Sequence, residues 1–390
     1  MMKPGFYRTW AEVNLDYFSH NVSEIVRIKK KDTKIMAVVK ADAYGHGVKE
    51  TAGILIENGI DRLAVSTLDE ALQLRHLGVA VPIQVLSFTP AERITEILDY
   101  DIIQTVFNPE TAQNISELAT RRGICATVHI KVDTGMGRLG FFPTEEDAEK
   151  IAKISKLPNL YVEGLMTHFA SSDERDPAYT NYQFERFMDL YCQLEHIGVH
   201  IPIRHVANSS AICNYQEMHL EMVRPGLMLY GLYSLPNDEK RKVDLKPVMT
   251  LKSVIINIRH LQENSCISYG RTFKTSRESI IATIPIGYAD GYPRQLSNKG
   301  RVLIGGEYAP VVGRICMDHT MVDVTDLKDD ISIGDEVVLF GRQLDKKITA
   351  DEIAEQIGTI SYEVVSRIGL RVPRVYLRGG KVVSTQNYLI

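Results

Sequence analysis

Several side chains able to do chemistry stand where apolar runs of this sequence end. Lys40 follows the run 35–39. Lys131 and Arg138 sit in and just after the run 127–132. His168 closes 162–166, Asn208 and Ser209 close 205–207, and Arg224 and Gly226 close 222–223. Amines, guanidinium groups, imidazoles and hydroxyls do nucleophilic, acid–base and anion-binding work. One polar residue in such a place means little. Five of eight runs ending this way point to one shared site.

A lysine at the end of an apolar strand is partly desolvated. That lowers its pKa from about 10.4 and frees the amine for Schiff-base chemistry. An edge lysine whose ammonium reaches water is the bland alternative to this reading of Lys40, and position alone leaves the two even. Lys131 by itself reads as a plain structural lysine, and His168 as a satisfied core histidine. Gly135, Gly137 and Gly140 spell G-x-G-x-x-G after a strand. A dinucleotide site needs a helix to open at that loop. Here Pro143 intervenes, and Thr144 with Asp147 resembles a capping box that starts the helix later, so the glycines read as a turn.

These residues need a scaffold that gathers strand ends. The runs 35–39, 63–66, 83–86, 102–106, 127–132, 162–166, 205–207 and 222–223 alternate with segments of helical spacing, such as 67–77, 91–98, 108–119, 144–154 and 182–196. That alternation predicts βαβ units and a parallel sheet, and eight runs close a (β/α)8 barrel. Such barrels place reactive groups at the C-terminal ends of their strands, and the loops after strands 7 and 8 commonly bind phosphate. Gly226 lets backbone N–H groups approach an anion there, and Ser209 can donate its hydroxyl.

After about residue 245 the texture becomes β-like, with runs at 248–258, 279–285, 301–304, 309–312, 320–324 and 336–340. Only 350–357, with Thr349 as N-cap, and 361–367 read as helices. The expected organisation is a barrel over 14–240 and a mainly β domain over 241–390, joined by the N-terminal strand in 1–13. The polar, proline-containing stretch 235–240 is the expected link.

The chain's 44% apolar and 24% charged residues, with a net charge of −4, are ordinary for a soluble enzyme and favour no nucleic-acid or membrane partner. The N-terminal segment carries no apolar leader core. Five scattered cysteines without a C-x-x-C pair argue against a disulfide framework or metal site and for a reducing cytoplasm.

The string Lys40-Ala41-Asp42-Ala43-Tyr44-Gly45-His46-Gly47 resembles the cofactor-lysine signature of the alanine racemases, K-A-[DN]-A-[YF]-G-x-G, without departure. The resemblance implies that Lys40 carries pyridoxal phosphate and that Tyr44 touches its phosphate. The segment from His129 to Gly140 is similar to a second motif of the family. There Arg138 would hold the substrate carboxylate, and Lys131 would be carbamylated, turning a cation into an anion that steers Arg138. The resemblance assigns Asn208, Ser209, Gly226, Leu227 and Tyr362 to the cofactor, and sets Arg224 against the pyridine nitrogen. An arginine only donates, so that nitrogen stays unprotonated and the ring is a weaker electron sink. His168 would bridge Arg224 to a second base.

That second base is implied to be Tyr269, in Ile267-Ser268-Tyr269-Gly270-Arg271-Thr272, reaching in from the partner subunit of a homodimer. Racemisation needs a base on each face of a planar intermediate, and Lys40 serves only one. By the same resemblance Met317 helps bind the substrate carboxylate through its backbone. Tyr288 narrows the entrance with Tyr362, and Asp173, Arg294 and Arg314 form an outer polar layer. The implied activity is interconversion of L- and D-alanine, supplying D-alanine for peptidoglycan. A racemase of broader substrate range is the nearest rival. A barrel-plus-β decarboxylase would place an acid where Arg224 stands, and a non-catalytic pyridoxal-phosphate carrier would lack the β domain and Tyr269.

Overall fold

The computed structural model describes residues 7–233, 242–327 and 330–390. Most of the N-terminal segment read for a leader, and the expected link at 235–240, lie outside the described residues. The chain divides into two compact units: Phe18–Ala43 with Val48–Lys246, and Met1–Tyr17 with Tyr44–Gly47 and Pro247–Ile390.

Strand β1 (Thr9–Asn14) belongs to the second of these. The first is built on β2 (Lys34–Val38), β3 (Arg62–Val65), β4 (Ile83–Val85), β5 (Ile102–Val106), β6 (Ala126–Lys131), β7 (Leu160–Met166), β8 (Ile203–His205) and β9 (Met222–Val223). They form one parallel sheet in the order β8-β7-β6-β5-β4-β3-β2-β9. The Arg224 N–H donates to the Ala207 carbonyl at 2.9 Å, just past the ends of β9 and β8, so the barrel is nearly closed. All eight expected runs contribute. A strand covered on both faces reads as a continuous apolar run, as Ile35, Met36, Ala37 and Val38 do. Burying each such large side chain is worth about 1.5–3 kcal/mol.

Helix caps hold the loops at the strand ends. Thr67 and Glu70 form a reciprocal capping box after β3. Asn108 caps the helix Pro109–Arg122 after β5, with proline at its first position. Thr144 caps Glu145–Ile154, so no helix opens at the glycine-rich loop, as Pro143 foretold.

The barrel interior also contains polar side chains: Gln84, Gln104, His129 and His205 are essentially inaccessible. Room for His129 comes from Gly164 on β7. A Cβ there would stand 2.3 Å from the imidazole Nδ1.

In the second unit the strands are β10 (Met249–Val254), β11 (Asn257–Leu261), β12 (Cys266–Ile267), β13 (Phe273–Lys274), β14 (Ser279–Ile284), β15 (Arg301–Ile304), β16 (Glu307–Pro310), β17 (Thr320–Asp323), β18 (Glu336–Gln343), β19 (Lys346–Ile348), β20 (Arg374–Arg378) and β21 (Lys381–Gln386). The main sheet runs β16-β15-β18-β10-β1-β20-β21, with β19 on β18, so the N-terminal strand lies in its middle. A second sheet, β11-β14-β17, stands apart. Gly305-Gly306 and Gly379-Gly380, all at positive φ, make two-residue hairpin turns.

The expected single strand 248–258 is in fact two, in different sheets. The Ile255 N–H bonds to the Asp335 carbonyl and the Ile256 N–H to that of Thr283, so the backbone changes partner there. Apolar alternation carries no mark of such an exchange. Among the described residues no helix is long and apolar enough to cross a membrane.

Gly164→Ala should cost about 1–3 kcal/mol, because the new methyl meets a ring pinned by hydrogen bonds. The urea midpoint should fall at unchanged slope.

Candidate active site

Lys40 begins a turn that L-residues normally avoid. Ala41, Asp42, Ala43 and Tyr44 have φ between 52° and 54°, and Gly45 has φ 80°, which makes a left-handed helical turn. Each non-glycine residue costs roughly 1–2 kcal/mol in that conformation. Directed hydrogen bonds offset the cost. Ala43 N–H reaches the Val39 carbonyl at 2.9 Å, Ala41 N–H reaches Glu70 Oε1 at 2.6 Å, and Val48 N–H reaches Asp42 Oδ1 at 2.8 Å. Backbone strain held this firmly marks a functional position. The turn leaves the Lys40 amine partly buried at the end of β2. Burial and then Arg138 push its pKa down, against an opposing pull from Glu70.

Lys131 ends β6 and is 5% exposed. Its amine donates to the Val132 carbonyl at 2.8 Å. Burial, then Arg224 and Arg138, bring its pKa down to about 7. The loop that follows folds around Asp133. Its Oδ1 accepts the N–H groups of Gly135 and Gly137 at 3.0 Å each, and its Oδ2 accepts that of Arg138 at 2.8 Å. Burial raises the Asp133 pKa, yet these three backbone bonds outweigh it and hold the carboxyl below its usual value. The three glycines therefore wrap an internal anion. Gly140 is required by close approach: a Cβ there would sit 2.4 Å from the Asp133 nitrogen. Asp133 aims Arg138, and sequence reasoning assigned it no role. An aspartate two residues before a glycine-rich loop was the available signal.

Arg224, just beyond β9, is 4% exposed. Its guanidinium donates to the Thr167 carbonyl at 2.6 Å, the Val206 carbonyl at 3.1 Å and the His205 carbonyl. It also meets His168 Nδ1 at 3.4 Å and His205 Nδ1 at 3.2 Å. Burial first, and then Arg224, Arg138, Lys131 and Lys40 together, keep His168 neutral. Four of the expected cations therefore act on one imidazole. Ser209 Oγ accepts the Gly226 N–H at 3.0 Å and the Met228 N–H at 3.4 Å, which joins the ends of β8 and β9. The Asn208 amide oxygen is spent on capping the next helix and on the Ser172 hydroxyl. Leu227 opens a buried 3-10 turn, and Asp173 is exposed.

The second unit presents the remaining expected residues. Tyr269 is 70% exposed, in a turn where Ser268, Gly270 and Arg271 all have positive φ. The Ser268 hydroxyl ties that turn to the Arg314 carbonyl at 2.5 Å. Tyr288 and Met317 are held as one piece. The Tyr288 and Ala289 N–H groups donate to the Cys316 and Met317 carbonyls at 3.1 Å each. Gly287 permits this, since a Cβ would lie 2.2 Å from the Cys316 oxygen. The buried Asp290 carboxylate accepts the Gly287 N–H at 3.0 Å and an Arg8 nitrogen at 2.8 Å, which locks the loop. Arg294 and Arg314 are exposed. The rings of Tyr44 and Tyr362 meet at a tilt of 41° with centroids 6.1 Å apart, and burial, then Tyr362, push the Tyr44 phenol up. It stays a neutral donor at ordinary pH.

Chemically, the first unit offers a partly buried amine, a second amine titrating near neutrality, two guanidinium groups and a neutral imidazole. That excess of positive charge calls for anionic ligands.

Sequence comparison agrees with this geometry. The profile "Alanine racemase, N-terminal domain" matches residues 13–234, and "Alanine racemase, C-terminal domain" matches 248–376. Alanine racemase 1 of Clostridium acetobutylicum is 50% identical over 97% of this chain and 98% of its own. Among solved structures, alanine racemase of Clostridium difficile 630 superposes with a TM-score of 0.93 at 43% identity, over 98% of this chain and 99% of that one. Alanine racemase from Bartonella henselae, solved with covalently bound pyridoxal phosphate, gives 0.86 at 29% identity, over 95% and 100%. Strand-end cations, an eight-stranded barrel, a β domain and near-complete matches along the length together place this chain in the alanine racemase family.

Proposed function

We propose that this chain interconverts L- and D-alanine with pyridoxal phosphate as cofactor, Lys40 and Tyr269 of the partner subunit exchanging the α-proton on opposite faces. The observation that carries the reading is the convergence of Lys40, Lys131, Arg138 and Arg224 on His168 at one end of the barrel. The side chains fit the cofactor's chemistry. An aldehyde needs an amine that loses its proton readily, and Lys40 is partly buried with a lowered pKa. A phosphate monoester needs O–H and N–H donors, and by the family resemblance Ser209, Gly226, Leu227, Tyr44 and Tyr362 would supply them, together with Asn208. A heteroaromatic nitrogen needs a directed partner, and Arg224 is buried and braced by carbonyls.

When bound, pyridoxal phosphate draws electrons from the α-carbon of a linked amino acid and makes its hydrogen acidic. Arg224 carries only donors, so it keeps the ring nitrogen unprotonated and moderates that pull, which disfavours loss of carbon dioxide. Arg138, aimed by Asp133, and the Met317 backbone hold the substrate carboxylate. Lys40 moves the proton on the D side, and Tyr269 of the partner subunit moves it on the L side. In the single chain Tyr269, Tyr288 and Met317 are 70%, 42% and 51% exposed. Exposed side chains of this kind suit a homodimer whose sites are shared. Tyr288 with Tyr362, and outside them Asp173, Arg294 and Arg314, would narrow the entrance. The product fits a cytoplasmic supply of D-alanine for peptidoglycan.

Lys131 would act as a carbamate. A free amine attacks carbon dioxide, and an amine with a pKa of about 7 is largely neutral above that pH. The anion formed would sit among Arg224 and Arg138 and relieve their repulsion.

In deuterium oxide, Tyr269→Ala should still exchange the α-hydrogen of D-alanine but not that of L-alanine, read by proton NMR, and should lose racemisation. Mixing Tyr269→Ala with Lys40→Ala subunits should restore turnover at one site per heterodimer; no recovery would remove the shared site. Protein equilibrated with 13C-bicarbonate should show a carbamate resonance that fades as pH falls through about 7. Lys131→Ala should lack it at every pH and bind alanine less tightly.

A further inference from the structure

The barrel interior holds a line of polar side chains that the reaction above does not use. Arg62 donates both terminal nitrogens to Glu163, at 2.5 and 2.9 Å. Glu163 Oε2 lies 3.0 Å from His129 Nε2. His129 Nδ1 lies 2.8 Å from His205 Nε2, and His205 Nδ1 lies 3.2 Å from an Arg224 nitrogen. Both imidazoles are fully buried. Barrel interiors are ordinarily filled by branched apolar side chains, so packing alone does not call for this line. The backbone makes way for it. Gly164 vacates the space of the His129 ring, and the β6–β7 register shifts between Val128 and His129.

The carboxylate end decides where every hydrogen lies. A carboxylate only accepts and a guanidinium only donates. His129 Nε2 must therefore carry hydrogen toward Glu163, which leaves its Nδ1 bare. That bare nitrogen accepts from His205 Nε2–H, and His205 Nδ1 is left bare to accept from Arg224. The Arg224 end agrees with this assignment but does not impose it, because its guanidinium has three carbonyl acceptors besides His205, whereas Arg62 clamps Glu163 in place. The line closes with two neutral imidazoles in the Nε2–H form. Burial, first among the causes, lowers both histidine pKa values, and Glu163 is held at about 2, so this charge pattern persists across the working pH range.

We propose that Glu163, acting through His129, is a positioning residue that keeps His205 Nδ1 a bare acceptor and so fixes the direction of the Arg224 guanidinium. Carbonyl partners of Arg224 accept in any state. His205 is a partner that can reverse, and Glu163 is what holds it. The consequence for catalysis rests on the reading that Arg224 faces the cofactor; the hydrogen-bond polarity does not.

Glu163→Gln tests this. A glutamine is nearly isosteric but can donate to His129 Nε2. Both rings can then flip to the Nδ1–H form, which sets His205 N–H against Arg224 N–H. An orienting carboxylate changed to an amide acts in this way through the tautomer. Nitrogen NMR of 15N-histidine-labelled protein, without cofactor, should show His129 and His205 as Nε2–H in the unmodified chain and a new Nδ1–H signal for His205 in the variant. Alanine turnover should fall about 10- to 100-fold, with KM moved far less, and Glu163→Gln should do at least as much harm as Glu163→Ala. A role in packing alone predicts the reverse order, with the isosteric glutamine near the unmodified rate. An Nδ1–H form of either histidine in the unmodified protein overturns the proposal without any variant. So does an unchanged His205 tautomer in Glu163→Gln, or an unchanged kcat after the tautomer flips. Should the unmodified protein fail to racemise alanine, the proposed function falls, while the NMR arm still decides the polarity.

Discussion

Like charges crowded into a low-dielectric barrel mouth repel, and much of this structure answers to that constraint. Lys40, Lys131, Arg138 and Arg224 all act on His168. Burial, and then repulsion from Arg224 and Arg138, bring Lys131 down to about 7. Arg224 stays in place because carbonyls of Thr167, His205 and Val206 surround it. None of those carbonyls carries formal charge. The nearby carboxylate, Asp133, spends its oxygens on backbone N–H groups rather than on the cations. The positive charge is thus braced without being neutralised, which suits a site whose anions arrive with the ligands.

Holding charges in this way requires backbone that ordinary strands and helices do not provide. The left-handed turn at Ala41–Tyr44 is tied down by Glu70 and Asp42, two carboxylates acting on backbone rather than on substrate. The loop before Arg138 curls around Asp133. In the β unit, Gly287 and the buried Asp290 do the same service for Tyr288 and Met317. In each case an acidic side chain meets backbone N–H groups, and a chemical group is aimed as a result. Acidic residues here mostly shape the chain; basic and phenolic ones are left to meet ligands.

Much of the fold was legible in the residues. All eight expected runs overlap barrel strands, because strands covered on both faces bury most of their side chains; the fit is poorest at β8, Ile203–His205, which shares only His205 with the run 205–207. Pro143 and Thr144 correctly placed the helix start beyond the glycine loop. What alternation could not reveal was the exchange of sheets at Ile255, since an apolar residue looks the same whichever strand it pairs with. Asp133 and Glu70 passed unnoticed for a similar reason. An acidic residue near a turn is common, and its importance lies in which N–H groups converge on it.

Taken by itself, the sequence determined the kinds of chemistry available and the alternation that builds the barrel, because residue type and period are local properties. Its motifs also carried the family resemblance. The tertiary structure decided which groups share one electrostatic field and how strongly, and it revealed the line from Glu163 to Arg224. Those three links join residues 163, 129, 205 and 224, on strands β7, β6 and β8 and just past β9. A hydrogen-bond polarity set by a carboxylate at one end and matched by a guanidinium at the other exists only once the barrel has brought them together.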